Sequence, residues 1–219
     1  MERRAEKLIA SLEEKLNFFS QMGIEFISIS SSKDTSFHSV EERILKCQKC
    51  TLSQGRTNAV PGEGSLEAEL MFVGEAPGRD EDLQGRPFVG RAGQLLTKIL
   101  GAMKFNREDV YITNVVKCRP PNNRNPNKEE IETCKNYLLE QIEMIKPRAI
   151  VALGRVATDS FVHSSLGMTA LRGNFHEFND TQVMPTFHPS YIIRNEGNKS
   201  IKKMVWEDMK KVMTFLGKR

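Results

Sequence analysis

The chain of 219 residues contains no apolar run long enough to span a bilayer, and no signal-peptide pattern opens it. A cytosolic protein without membrane contact is therefore expected. It holds neither G-x-G-x-x-G nor the lysine of a P-loop, which sets aside both common nucleotide fingerprints. No internal repeat is found. Cysteines number only four, and in a cytosolic setting they are not expected to form disulfides. Net charge is a modest +4. Apolar residues at 39% and charged residues at 27% are ordinary for a globular protein, and the length suits one full-core domain.

What is present is organised around Leu70 to Leu96. The apolar run Leu70 to Val73 ends in the glycine turn Gly74-Glu75-Ala76-Pro77-Gly78. Asp80, Glu81 and Asp82 follow, then Gly85-Arg86-Pro87-Phe88 and a helical pattern through Leu95, Leu96, Ile99, Leu100 and Met103. A strand feeding a glycine loop and a helix is how α/β folds build sites at strand ends. An ordinary surface connection with solvated acids is the bland alternative. Against it stand the carboxylates beside an apolar strand end and an aromatic inside a glycine- and proline-rich loop.

Further strands are expected at Val110 to Asn114, Ala149 to Leu153 and Val183 to Phe187, separated by helices. Asn125-Pro126-Asn127 supplies a helix cap with proline in the first turn, and Lys146-Pro147 stops that helix. The last helix turns Ile201, Val205, Met209, Val212 and Leu216 inward. Alternating strands and helices imply an α/β three-layer sandwich with a four-stranded, mainly parallel central sheet. Residues 1–36 read as an amphipathic helix over 2–21 and a Ser-rich linker over Ser28 to Ser36, an appendage suited to docking or to a protein partner. The main domain takes residues 37–219.

The cysteines are spaced Cys47-x2-Cys50, then 67 residues, then Cys118-x15-Cys134. One four-thiolate site accounts for them best, and both zinc and an iron–sulfur cluster accept such a site. Lys117, Arg119, Arg124 and Lys128 lie together without an acid, and eight basic residues face three acids from Ser190 onward. Local basic surfaces of this kind suit a phosphate backbone, although a solvated face is the common alternative.

GEAPGRDED, GRPFVGRAGQLL, TNVVKCRPPNNRNP and PTFHPSY, in this order and with these cysteines, resemble the type-four uracil-DNA glycosylases over about residues 40–216. That resemblance implies a four-stranded parallel sheet between helices, a monomer acting on uracil-containing DNA, single- or double-stranded, and a structural [4Fe–4S] cluster on Cys47, Cys50, Cys118 and Cys134. Better-studied relatives carry an aspartate where Ala76 stands, so the water-handling group must differ. A histidine-containing insertion of related covalent binders is missing after Phe88-Val89-Gly90-Arg91.

In such a site Gly74 and Phe88 would line the uracil pocket, with Phe88 as the stacking face. Asn114 would read N3–H and O4, and His188 would donate to O2 as charge builds there. Glu75 is the first choice to orient water; Glu81 is the second, or a gate against a thymine methyl over Gly78. Arg155, Arg172, Arg194, Lys117 and Arg124 would meet phosphates, with Ile192 and Ile193 as an apolar wedge or as core. A non-catalytic nucleic-acid-binding metal or iron–sulfur module and a redox protein are the rival classes.

Overall fold

Leu70 to Val73 and Ala149 to Leu153 carry no polar side chain, and such runs are stable only where both sheet faces are covered. The computed structural model describes residues 32–218, with side chains from Phe37 onward, and pairs these two segments side by side. Its six strands are β1 (Glu63–Gly64), β2 (Leu70–Gly74), β3 (Tyr111–Asn114), β4 (Ala149–Leu153), β5 (His176–Phe178) and β6 (Thr181–Thr186). Their spatial order is β1-β3-β2-β4-β6-β5. The central four are parallel, as expected. The two added edges are antiparallel, and at two and three residues they are too short to show a period in sequence.

Period-two alternation splits the core. Met71, Val73, Tyr111, Ile150 and Ala152 face one side, where they meet α1 (Ser32–Leu45) and α5 (Lys128–Ile145). Leu70, Phe72, Ile112, Ala149 and Val151 face the other, against α4 (Arg91–Ala102) and α9 (Lys199–Phe215). Each fully buried Leu or Ile contributes roughly 2 kcal/mol, so the sheet is clamped from both sides. Shorter helices join these layers: α2 (Leu52–Gly55), α3 (Arg79–Gln84), α6 (Arg155–Asp159), α7 (Met168–Leu171) and α8 (Pro189–Arg194). Among the described residues no helix is long and apolar enough to cross a membrane.

Several boundaries differ from expectation. The described part of helix α1 begins at Ser32, inside the run expected to be linker, and residues from Ser36 form one compact unit. The helix expected over 2–21 lies outside the described residues. Helix α5 is capped by Asn127, whose Oδ1 accepts from Glu130 N–H at 2.8 Å, so Pro126 precedes the cap rather than occupying the first turn. Lys146 ends that helix in a left-handed cap with φ 54°. The acids Asp80, Glu81 and Asp82 sit in α3, a short helix not expected from sequence.

Parallel order fixes where a site can lie. Connections from the centre run to opposite sides, β2 to β3 one way and β4 to β6 the other. Ligands in such sheets bind outside the carboxyl ends of the strands at that reversal. Gly74, Asn114, Gly154 and His188 all stand at those ends.

Candidate active site

Gly74 is a glycine because no side chain fits there. A Cβ would run into Asn114 Oδ1 and the Phe88 ring. Asn114, 1% exposed at the end of β3, leaves Oδ1 buried without a hydrogen-bond partner. An orphan acceptor of this kind costs about 1–3 kcal/mol, and it persists where a ligand supplies the missing donor. Phe88 is buried with φ 52°, a left-handed conformation that costs a bulky residue about 1–3 kcal/mol. Its ring lies 5.8 Å from that of His188, tilted by 34°.

His188 caps α8. Its Nδ1 accepts from Ser190 N–H at 3.1 Å, so a neutral ring carries its proton on Nε2. Burial, with a further push from Arg194, lowers its pKa to about 4. Gly154, with φ 88°, lets β4 end against this ring, since a Cβ there would stand 3.0 Å from His188 Cβ.

The carboxylates differ in what they hold. Glu75 is half-buried, and burial raises its pKa. Its backbone is pinned, because its carbonyl accepts from Val116 N–H at 3.1 Å and that of Gly74 from Val115 N–H at 2.9 Å. Glu81 Oε1 accepts from Val89 and Gly90 N–H, each at 2.9 Å, so that oxygen holds the Phe88 loop. Its other oxygen would lie 2.7 Å from a Cβ on Gly78. Asp82 is not solvated: it is buried and accepts from Thr57 N–H at 2.9 Å.

Cys47, Cys50, Cys118 and Cys134 are all free and line one cavity together with Ile44, Arg56, Lys117 and Tyr137. Arg56 donates to Cys118 Sγ at 3.0 Å, and the Lys117 amide donates to Cys134 Sγ at 3.3 Å. Among the described residues, no three His, Cys, Asp or Glu side chains are gathered closely enough for a single metal ion. Four thiols lining one cavity are a donor set that zinc and an iron–sulfur cluster both accept.

Most of the expected phosphate contacts are occupied elsewhere. Lys117 is 1% exposed, and burial lowers its pKa to about 7. Its Nζ donates to Thr113 Oγ1 at 2.6 Å, Asn114 O at 2.8 Å and Gln141 Oε1 at 2.7 Å. It is thus an internal strut of the Asn114 turn and cannot reach DNA. Arg172 is also internal, pairing with buried Asp208 and donating to Met204 O at 2.6 Å. Ile192 belongs to the core rather than to a wedge.

Arg124 is exposed but bidentate to Glu130, at 2.7 and 2.8 Å. Arg155 is exposed too; it bonds Asp159 at 2.7 Å and the carbonyls of Leu166 and Ser164 at 2.5 and 3.0 Å, tying down a loop. Arg194 is exposed on α8, close enough to act on His188. Sequence reasoning missed Arg107, Glu63 and Gln141. Gln141 alone gave a signal, as a polar residue on the apolar stripe of α5.

Residues 61–210 match the family model of the uracil DNA glycosylase superfamily. The chain is 51% identical over 181 residues to a type-4 uracil-DNA glycosylase of Thermotoga maritima, spanning 82% of this chain and 94% of that protein. A type-4 enzyme of Saccharolobus solfataricus is 45% identical over 190 residues, 82% of this chain and 86% of its own. For that of Archaeoglobus fulgidus the figures are 42% over 193 residues, 84% and 95%. The matched span contains every strand-end residue of the pocket, from Gly74 to His188. On that footing the chain belongs to the uracil DNA glycosylase superfamily, among its type-4 uracil-DNA glycosylases.

Proposed function

We propose that this protein hydrolyses the N-glycosidic bond of deoxyuridine in DNA, releasing uracil and leaving an abasic site. The observation that carries this reading is the buried, partnerless Asn114 Oδ1 beside the Phe88 ring and Gly74. A uracil flipped from the stack would rest on Phe88, at an unstacking cost of a few kcal/mol. Its N3–H would satisfy Asn114 Oδ1 while the amide donates to O4. Cytosine reverses both positions, so the same amide rejects it.

As the bond to C1′ breaks, electrons move onto the base and charge gathers on O2. His188, neutral and with its Nε2 proton, donates there. Glu75 is the carboxylate with an uncommitted, half-buried position, and it orients the attacking water. Glu81, with one oxygen held by two amides, is assigned to the loop and to covering Gly78. Arg194 and the outer edges of Arg124 and Arg155 are the cations left for phosphates.

The four cysteines would hold a [4Fe–4S] cluster, which when bound supplies a cross-link among the Cys47–Cys50 turn, the Cys118 loop and helix α5. Residues 1–36 are proposed as an appendage to the domain at 37–219, available to a protein partner. The enzyme would act as a cytosolic monomer on single- or double-stranded DNA.

The test is alkali-revealed strand cleavage of a uracil-containing oligonucleotide under single-turnover conditions. Wild-type protein is expected to cleave it, and Glu75→Gln should slow cleavage far more than it weakens DNA binding. Asn114→Asp places an acceptor against O4 and should cost roughly 10²-fold or more in uracil excision. No cleavage by the wild-type protein would turn the reading to a non-catalytic nucleic-acid-binding module. Unchanged cleavage by Asn114→Asp would remove Asn114 from the pocket.

A further inference from the structure

Phe88 holds its left-handed backbone between two clamps of opposite charge. In one clamp Glu81 Oε1 takes the N–H groups of the two residues that follow, Val89 and Gly90, each at 2.9 Å. The other clamp is Arg107, which opens a single helical turn before β3. Arg107 Nη2 donates to Pro87 O at 2.7 Å, and Nη1 donates to Phe88 O at 3.0 Å and to Thr97 Oγ1 at 3.2 Å. Its Nε donates to Glu63 Oε1 at 2.8 Å, and both side chains are only 20% exposed. Glu63 accepts from Arg86 Nε with its other oxygen at 2.8 Å. A guanidinium fork suits two carbonyls on consecutive peptides; a point charge would reach one.

We propose that Arg107, oriented by Glu63, is a positioning residue that keeps the Phe88 ring in the base site. This rests on the reading that Phe88 stacks on the flipped uracil. Arg107 touches neither base nor sugar and takes no proton. It fixes the carbonyls on either side of the Phe88 Cα, and with Glu81 leaves that residue no relaxed conformation to adopt. The short edge strand β1 thereby gains a task, since it carries Glu63 to the outer end of the clamp.

The test uses the full-length protein and the variants Arg107→Met, Arg107→Lys, Glu63→Gln and Phe88→Ala. Four quantities are read: single-turnover uracil excision, inhibition by free uracil, affinity for abasic-site DNA, and thermal midpoint. Arg107→Met is expected to slow excision about 10²-fold, the scale of a misplacement near 1 Å. It should weaken inhibition by free uracil and leave abasic-DNA affinity intact. Arg107→Lys should recover part of both losses. Glu63→Gln should give a smaller loss of the same kind, and a fifth variant combining it with Arg107→Met should be no slower than Arg107→Met alone, because the two act as a unit.

Wild-type excision by Arg107→Met while Phe88→Ala is impaired would overturn the proposal and leave the pocket reading standing. So would an Arg107→Met loss that follows thermal midpoint and DNA affinity, with inhibition by free uracil unchanged. Wild-type excision by Phe88→Ala would remove the pocket reading and this proposal together. If Arg107→Met does not fold, Glu63→Gln carries the test, and wild-type values for its excision and uracil inhibition overturn the proposal.

Discussion

His188 shows how a single residue is set for its task by its surroundings. The Ser190 amide occupies Nδ1, and burial together with Arg194 holds the ring neutral down to about pH 4. Unfolded, the same ring titrates near its ordinary value of about 6.5. Between these values the unfolded chain binds a proton that the folded chain does not. The stability this histidine contributes is therefore fully present above about pH 6.5 and is lost as pH falls toward 4. The wild-type thermal midpoint is expected to drop across that window more than that of His188→Gln, measured by paired thermal melts. The wild-type excision rate should carry no step near pH 6.5. A step there, or parallel melts for the two proteins, would show that the ring gains its proton in the folded state at the ordinary pH.

At the scale of elements, strand ends and helix stripes were legible in the sequence. Leu70 to Val73 and Ala149 to Leu153 are apolar throughout, and Ile201, Val205, Met209, Val212 and Leu216 recur at helical spacing; each lies where its pattern puts it. Asn114 ends a strand and His188 follows one, which places both at the carboxyl edge of the sheet, but the pocket roles proposed for them come from the family resemblance. The clamps were not legible. Arg107 and Glu63 are 44 positions apart and meet only because β1 pairs with β3, and two residues give no period to read. Lys117 misled because a lysine in a basic loop looks solvated, and its burial depends on Thr113 and Gln141 arriving from different elements.

Helix α4 allows a paired check of how tightly the Phe88 loop is packed. A Cβ on Gly93 would run into the Phe88 carbonyl, whereas one on Gly101 meets nothing within 4 Å. Gly93→Ala should destabilise by about 1–3 kcal/mol through overpacking and slow excision with it. Gly101→Ala, on the same helix, should stabilise by up to about 1 kcal/mol and leave excision unchanged. Denaturant melts and single-turnover rates read both. Equal effects of the two substitutions would mean that the loop does not rest on the helix.

Across the whole molecule, the cysteine cavity and the proposed base pocket are the two ends of one short turn. Asn114 ends β3, Cys118 lies four residues on, and Lys117 between them hydrogen-bonds Asn114 O, Thr113 and Gln141. The Lys117 amide also donates to Cys134 on α5, so the wall of the cavity and the turn after Asn114 share one residue. Cys47 and Cys50 bring a third segment to the same cavity. Closing such a site around a cluster would join segments far apart in sequence, and the stability of a metal site of this kind is part of the folding free energy. Cys118→Ser is therefore expected to lose bound iron and its visible absorbance, and to lower the thermal midpoint. Excision should fall because the turn carrying Asn114 loosens, and inhibition by free uracil should weaken in step. Arg194 lies on α8 and not on this turn, so its proposed phosphate contact is not expected to be lost with the cluster. If iron content and excision both survive in Cys118→Ser, the four cysteines do not form one site. If iron is lost while excision and uracil inhibition stay at wild-type values, the turn holds its shape through Lys117 and its three oxygen partners alone.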